Sequence, residues 1–227
     1  MGRRFRATLA AALAIGLFTS VGYLAVVVAS FPVENFNSPS NFYDLWKIKK
    51  WKGAVALDFL TGQAGPYLEL TATDSSWAFV RAVDEDLAVS PFLEWEWKAD
   101  AIPQGGDGRI KDRDDEAAQV YLFFPGSGFF SKLDPRIVGY TWETVPPKGT
   151  FYHSPKNDNT RVFVLRNESD PKGAWFSERR DVARDFTAAF GGAQAPKPTA
   201  VCIQIDSDDT RSLARSAFAR IRFGVAP

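Results

Sequence analysis

Three aspartates near the carboxyl end of the chain are the first candidates for chemistry. Asp206, Asp208 and Asp209 stand close together in a predicted turn between two strands. Calcium prefers roughly six to eight oxygen ligands, and carboxylates of one loop often supply several of them. The acidic run from Asp112 to Glu116 has a similar composition. The spacing predicts a Ca²⁺ site, although acidic residues also favour ordinary turns, where they accept hydrogen bonds from nearby backbone N–H groups.

Tryptophans are the second kind of candidate. The chain has 7 Trp, and aromatic residues make up 14% of it. Exposed aromatic rings beside acidic or amide side chains can stack on sugars, whereas most Trp residues of a β-sandwich belong to its core. We predict that Trp142 and Trp175 stack on a carbohydrate.

Paired carboxylates on one strand are a third, weaker candidate. Glu94 and Glu96 lie two positions apart on one predicted strand face, near the ~5–5.5 Å separation that retaining glycosidases use. Strand faces also carry such pairs for solubility. His153 is the only histidine, and no nucleophile motif is recognisable. We therefore expect no catalytic residues and no enzymatic activity.

Composition excludes two further classes of function. Lys plus Arg and Asp plus Glu both number 27, so the formal net charge is zero. A nucleic-acid partner is not expected, because such binding needs a basic surface. Cys202 is the only cysteine, so neither a disulfide within the chain nor a cysteine-based metal site can form. We expect no cofactor other than the calcium ion considered above.

The most apolar stretch, Leu9–Ala29, predicts a membrane-spanning helix, because about 20 apolar residues cross the ~30 Å hydrocarbon layer. Three arginines precede it, and no Lys or Arg follows before Lys47. The positive-inside bias predicts a cytoplasmic N-terminus and a periplasmic domain, held by a single span in the inner membrane. The alternative is a cleaved secretory signal, since Val27–Ser30 offers a small-residue cleavage site.

Two groups of residues are predicted to contact partner proteins. Small side chains recur along the predicted helix, as close helix packing within membranes requires. A loop near the middle of the chain is unusually apolar, and exposed apolar patches mark interaction sites. We therefore predict integral membrane subunits and the lipid bilayer as partners. The predicted contact residues are Gly16, Thr19, Gly22, Phe124, Phe129 and Phe130.

From Val55 onward the sequence has the pattern of strands. Short runs alternate apolar and polar residues, and clusters of Gly, Pro and Asp separate them. In the clearest run, Leu93, Trp95 and Trp97 lie on one face while charged residues lie on the other. Many short strands of this kind predict a mainly β fold, a two-sheet antiparallel β-sandwich or jelly roll.

One short helix is predicted within this pattern, over Asp181–Phe190. Its apolar residues recur at four-residue intervals, and Gly191 follows as a helix-ending residue. The predicted organisation is an N-terminal anchor or signal sequence over residues 1–30, a polar linker over 31–44 and the β-sandwich domain over 45–227.

Several segments together resemble one protein family. The segments are Leu93–Lys98, Asp114–Asp115, Ala118–Phe124, Tyr140–Trp142, Glu178–Val182 and Ile205–Thr210. They are similar to the DUF3047 family of bacterial proteins of unknown function, over roughly residues 45–223. The resemblance implies a β-sandwich of the carbohydrate-module, galactose-binding-like type, and it implies no established activity.

The anchor and the apolar loop lead to the functional prediction. We predict a non-catalytic, membrane-anchored accessory subunit of a larger membrane complex, of respiratory or photosynthetic type, that docks through its anchor helix and its periplasmic sandwich. The alternative is a secreted or anchored β-sandwich module that binds carbohydrate or calcium.

Overall fold

A computed structural model describes residues 30–126 and 134–225. Within these ranges the chain forms two helices, α1 Pro39–Leu45 and α2 Val182–Ala189, and a 3₁₀ turn at Lys111–Arg113. The strands are β1 Ser30–Glu34, β2 Trp46–Lys52, β3 Val55–Gly62, β4 Gly65–Thr73, β5 Ser76–Ala82, β6 Phe92–Ala101, β7 Ala118–Phe124, β8 Arg136–Trp142, β9 Phe151–His153, β10 Thr160–Arg166, β11 Phe176–Asp181, β12 Ala200–Asp206 and β13 Leu213–Gly224.

The strands form two sheets that share one core. The six-stranded sheet has the order β11-β6-β13-β4-β3, and β1 pairs with the end of β13. The seven-stranded sheet has the order β2-β5-β12-β7-β8-β10-β9. The predicted two-sheet sandwich is confirmed. The strands are predicted to pair mostly antiparallel, and among the described residues only β8 and β10 run parallel, because β9 turns back on β10 and takes the edge position.

The core lies between the sheets and is rich in aromatic rings. Leu93, Trp95 and Trp97 of β6 are all buried. The ring of Trp95 packs on Tyr140 of the opposite sheet, with centroids 5.3 Å apart, and Trp97 packs on Trp142 at 5.9 Å. The predicted inward face of this strand is therefore correct, and the charged residues between these three point outward.

The predicted linker over residues 31–44 is part of the domain. Strand β1 pairs with β13, and helix α1 begins after Ser38, whose hydroxyl accepts a hydrogen bond from the Asn41 N–H at 3.3 Å. Phe36 and Phe42 are buried in the core. The linker prediction is wrong because single Phe residues among Asn and Ser give no periodic signal, and because the partner strand lies at the far end of the chain.

The helix predicted near residue 181 is confirmed as α2. The Asp181 carboxylate caps its first turn and accepts a hydrogen bond from the Arg184 N–H at 3.0 Å. Phe186 is fully buried, and its ring lies 4.6 Å from that of Phe124. The predicted partner contact at Phe124 is wrong, because this residue ends β7 with its side chain under α2. Helix α1 was not predicted.

The other predicted partner contacts lie outside the described residues. They are Gly16, Thr19, Gly22, Phe129 and Phe130, and the predicted membrane helix Leu9–Ala29 lies there too. Among the residues that the structure describes, no helix combines the length and the apolar composition that a membrane crossing needs.

The N-terminal segment yields a stability prediction. Phe42 has no exposed surface, and its ring contacts those of Trp46, Phe59 and Phe79. Phe42→Ala should lower the free energy of unfolding by about 3–5 kcal/mol, because it removes a large buried ring and leaves a cavity. Urea denaturation of the full chain measures this. The matched control is Tyr43→Ala on the same helix, where the ring is 52% exposed. If Phe42→Ala lowered the free energy of unfolding as little as Tyr43→Ala does, the ring of Phe42 would not be part of the core.

Candidate functional site

The outward face of the six-stranded sheet carries charged side chains in fixed register. On β6 they alternate with the core residues, and they are Glu94, Glu96, Lys98 and Asp100. Strand β6 lies between β11 and β13, so each of these side chains has neighbours on both sides. Side chains directly opposite one another on adjacent strands lie close enough to interact.

Glu94 is held from both sides by arginines. Arg179 of β11 donates from Nε to Glu94 Oε1 at 2.9 Å, and Arg222 of β13 donates from Nε to Oε2 at 2.7 Å. Partial burial favours the neutral carboxyl group, but the two guanidinium groups outweigh it and lower the pKa of Glu94. The Arg179 guanidinium also lies over the Phe92 ring, 3.4 Å from its centroid. This group of charges is therefore ionised and fixed in position.

A bulge in β13 directs Arg220 toward Glu96. The pairing of β13 with β6 shifts between Ala219 and Arg222, and Arg220 has a φ of 49°. A non-glycine residue in this left-handed region costs about 1–3 kcal/mol and persists only where the surroundings hold it. The Arg220 guanidinium forms an ion pair with Glu96. Bulges re-aim side chains and are common beside functional sites.

An aromatic pair lies on the same face. Trp175 precedes β11 and is 41% exposed. Its ring meets that of Tyr67 edge to face, with centroids 5.3 Å apart and an interplanar angle of 75°. The Lys98 ammonium group lies 5.7 Å from the Tyr67 centroid and 5.9 Å from that of Trp175. Trp175 therefore presents an aromatic surface to solvent beside charged groups, as its predicted stacking role requires.

Two adjoining cavities connect these features. One of about 380 Å³ is lined by the charged groups of β6, β11 and β13, and one of about 340 Å³ by the aromatic pair and the small residues of the β3–β4 turn. Glu96 lines both cavities. We call the two together the outer groove. Its principal residues are Tyr67, Glu94, Glu96, Trp175, Arg179, Arg220 and Arg222.

A larger cavity of about 550 Å³ lies elsewhere, between α2 and the loop before β6. Its lining is mainly apolar and includes Leu87, Pro91 and Ala188. It contains neither a ladder of paired charges nor an exposed aromatic ring, so the outer groove is the better candidate site.

Trp142 does not belong to this site. It is fully buried, with its indole N–H donating to the Asn167 carbonyl at 3.2 Å and its ring packed on Phe176 at 5.5 Å. The predicted stacking of Trp142 on a sugar is wrong, because the last residue of β8 faces the space between the sheets. Trp51 is 61% exposed, but it lies on β2 of the other sheet and lines no part of the outer groove.

Glu94 and Glu96, the predicted carboxylate pair, both lie in the outer groove. Both accept hydrogen bonds from arginines, and the pKa of Glu94 is lowered. A general acid needs a raised pKa so that it keeps its proton near neutral pH. The environment of Glu94 therefore favours an ionised hydrogen-bond acceptor over a proton donor.

The acidic turn after β12 is only partly as predicted. Carboxylate oxygens of Asp115, Asp208 and Asp209 lie within 4.8 Å of one another. Asp206 is not in this group, although it is buried at the end of β12. The oxygens of Asp115 accept hydrogen bonds from the Asp209 N–H at 3.1 Å and from the N–H and hydroxyl of Thr210, both at 2.6 Å. Asp115 therefore fixes the turn.

A lysine supplies positive charge to this turn. The Lys156 ammonium group lies 2.6 Å from Asp209 Oδ2 and 3.3 Å from Asp114 Oδ2. Burial disfavours the charged amine, but the surrounding carboxylates outweigh it and raise the pKa of Lys156. Calcium binding by Asp206, Asp208 and Asp209 stays a prediction, with Asp115 rather than Asp206 beside the other two.

A sequence model described as "Protein of unknown function (DUF3047)" matches residues 44–222. The chain belongs to this family. The resemblance noted in the sequence is thus confirmed, and the matched range includes the whole outer groove of this DUF3047 domain. A search of curated proteins finds no match to the chain.

Solved structures similar to the DUF3047 domain include two carbohydrate-binding modules. The family 11 module of the cellulosomal cellulase Lic26A-Cel5E of Clostridium thermocellum is 12% identical, with a TM-score of 0.45 over 88% of this chain and 96% of that chain. The mannan-recognising module TmCBM27 is 10% identical, with a TM-score of 0.40 over 88% and 99%.

A third similar structure is the xyloglucanase domain of NopAA, a type three effector from Sinorhizobium fredii. It is 11% identical, with a TM-score of 0.42 over 80% of this chain and 93% of that chain.

Sequence analysis missed several groove residues. Tyr67 and Lys98 lie on strands that were identified, but their position beside Trp175 depends on which strands neighbour β6. Arg220 and Arg222 alternate with apolar residues in the sequence, and both lie on the outer face. The bulge beside Arg220, which sets its direction toward Glu96, leaves no local signal.

The buried end of β12 yields a pH prediction. Burial, followed by the neighbouring Asp208 and Asp115 carboxylates, raises the pKa of Asp206 to about 9, whereas an unfolded Asp has a pKa of about 3.9. The native state therefore holds this proton more tightly. The resulting stability is fully present below pH about 4 and is lost as the pH rises toward 9.

Asp206→Asn should remove this dependence. As the pH rises from 5 to 9, the free energy of unfolding of the variant should increase relative to that of the parent protein. The reason is that the amide introduced at this position cannot lose a proton, whereas the Asp206 carboxyl group can. Urea denaturation at both pH values measures the two free energies of unfolding. Asp58→Asn, at an exposed position of β3, is the control. A difference between Asp206→Asn and the parent protein that stays constant with pH would contradict the assignment.

Proposed function

We propose that this protein binds a carbohydrate chain along the outer groove and catalyses no reaction on it. The observation that supports this most directly is the exposed face of Trp175 beside arginines and glutamates that hold one another in place. A sugar ring has an apolar face of C–H groups and a rim of hydroxyl groups. The aromatic ring can pack on the C–H face of the sugar, and the fixed polar groups can form hydrogen bonds with its hydroxyl groups.

The charges of the groove favour a neutral ligand. Four cations line it or adjoin it, and they form five ion pairs with four carboxylates there, since Lys98 pairs with two carboxylates and Glu94 with two arginines. The cations are Arg179, Arg220, Arg222 and Lys98, and the carboxylates are Glu69, Glu94, Glu96 and Asp100. An anionic or cationic ligand would have to break these pairs. A hydroxyl group both donates and accepts, so it can bind beside a pair without disrupting it.

The length of the groove favours a chain over a single sugar. Glu94 and Lys98 are four residues apart on β6, which corresponds to roughly 13 Å along an extended strand. Trp175 and Tyr67 lie beside Lys98. A ligand that contacts both the arginines and the aromatic pair therefore needs more than one sugar ring.

The membrane-complex subunit predicted from the sequence gains no support from the described residues. Phe124 is buried, and the other predicted contacts lie outside these residues. We therefore favour the carbohydrate-binding alternative.

Loss of the stacking ring tests the proposal. A neutral-glycan array identifies an oligosaccharide that binds the full chain, and isothermal titration calorimetry measures its affinity for each variant. Trp175→Ala should weaken binding at least about tenfold, because it removes the apolar contact with the sugar face. Trp51→Ala removes a more exposed tryptophan from the other sheet and should leave the affinity unchanged.

Two outcomes would contradict the proposal. One is binding that persists in Trp175→Ala, and the other is an equal loss in both variants, which would place the ligand outside the groove.

A further inference from the structure

A second polar cluster lies away from the outer groove, on the outer side of the seven-stranded sheet. Glu116 precedes β7, Glu143 follows β8 and Tyr152 lies in β9. The Tyr152 hydroxyl donates to Glu143 Oε1 at 2.6 Å and lies 3.4 Å from Glu116 Oε1. All three side chains are buried, and both carboxyl groups are almost wholly so.

The loop before β7 approaches this cluster so closely that only glycine fits. A Cβ atom on Gly108 would collide with the Tyr152 hydroxyl and with oxygens of both glutamates. The Gly108 N–H instead donates to Glu143 Oε2 at 3.2 Å. Three separate parts of the chain thus bring oxygen atoms to one buried point.

No lysine or arginine among the described residues pairs with either glutamate. The nearby cations have other partners, since Arg109 pairs with Asp107 at 2.8 Å and Lys156 pairs with the acidic turn. Burial raises the pKa of both carboxyl groups, that of Glu143 to about 7, and the Glu143 carboxylate raises that of Glu116 further. Two buried carboxylates without a counter-ion are costly, so a proton or a cation must balance them.

Gln119 supplies an independent sign of a missing partner. It is wholly buried on β7, and its Nε2 donates to Glu116 Oε2 at 2.5 Å. Its Oε1 has no hydrogen-bond partner among the described residues. Buried polar atoms are nearly always paired. The Gln119 amide thus reaches Glu116 through its nitrogen. Turning this amide over would present its unpaired oxygen to the same carboxylate, where it could bind a cation.

We propose that Glu116, Glu143, Gln119 Oε1 and the Tyr152 hydroxyl bind one calcium ion. The donors are all oxygen atoms, which excludes a preference for soft metals. Magnesium demands regular octahedral geometry and usually keeps several waters, whereas calcium accepts irregular sets of protein oxygens. The ion would join β7, β8, β9 and the Gly108 loop. This site is distinct from the acidic turn and does not depend on the proposed carbohydrate binding.

Calcium binding to the full chain tests the proposal. The protein is stripped with a chelator, dialysed and titrated with CaCl₂ by calorimetry at pH 7, with the bound metal counted by atomic emission. One ion per chain should bind and raise the melting temperature. Glu143→Gln and Glu116→Gln should each weaken binding at least about a hundredfold. Both remove a buried charge, so the apo fold should be retained.

Asp208→Asn is the matched control, because it removes a carboxylate of the acidic turn and should leave the affinity unchanged. Gln119→Met keeps the shape of the side chain but removes the amide oxygen, and should weaken binding about tenfold. The proposal is overturned if the parent protein binds no calcium. It is also overturned if binding survives Glu143→Gln but is lost in Asp208→Asn, which would place the ion in the turn.

Discussion

Successive side chains of strand β6 point in turn into the core and into the outer groove. This alternation fixes both the packing of the core and the charges of the groove. The tryptophans of β6, Trp95 and Trp97, fill the space between the sheets, while Glu94 and Glu96 point outward. A register slip of one residue would bury the charges and expose the indoles. The register of β6 with β11 and β13 is therefore strongly specified, and the arginines of those strands are held opposite the glutamates as a consequence.

The two sheets differ in whether their buried and half-buried carboxylates have cationic partners. On the six-stranded sheet every groove carboxylate has an arginine or lysine partner, and the ion pair of Arg220 with Glu96 accompanies the left-handed backbone at Arg220. On the seven-stranded sheet Glu116 and Glu143 share a tyrosine and have no cationic partner among the described residues. The first arrangement suits a neutral ligand with many hydroxyl groups. The second requires a positive charge from outside the chain or a retained proton.

Sequence analysis succeeded where periodicity is strong. The alternation in β6, the apolar spacing of α2 and the family segments were all recognisable, because each is a local pattern. The predicted stacking role of Trp142 and the predicted linker over residues 31–44 were wrong. Trp142 and Trp175 look alike in sequence, and only the packing of one sheet on the other separates the buried ring from the exposed one. The N-terminal segment pairs with β13, which no local window can show.

The candidate sites depended even more on long-range geometry. The bulge at Arg220 and the close approach of Gly108 to two glutamates both arise from contacts between distant segments. Charged residues are common throughout the chain, so the sequence alone could not indicate which of them meet. Trp175 was predicted together with Trp142, and only the structure shows that Trp175 is the exposed ring of the two.

The proposed ligand-binding surface is the outer groove. Nuclear magnetic resonance of the indole N–H signals, recorded while a neutral oligosaccharide is titrated, tests this proposal most directly because each tryptophan reports its own position. The Trp175 signal should shift with ligand concentration, while that of Trp51 should stay fixed. A shift of the Trp51 signal with no change at Trp175 would contradict the proposal.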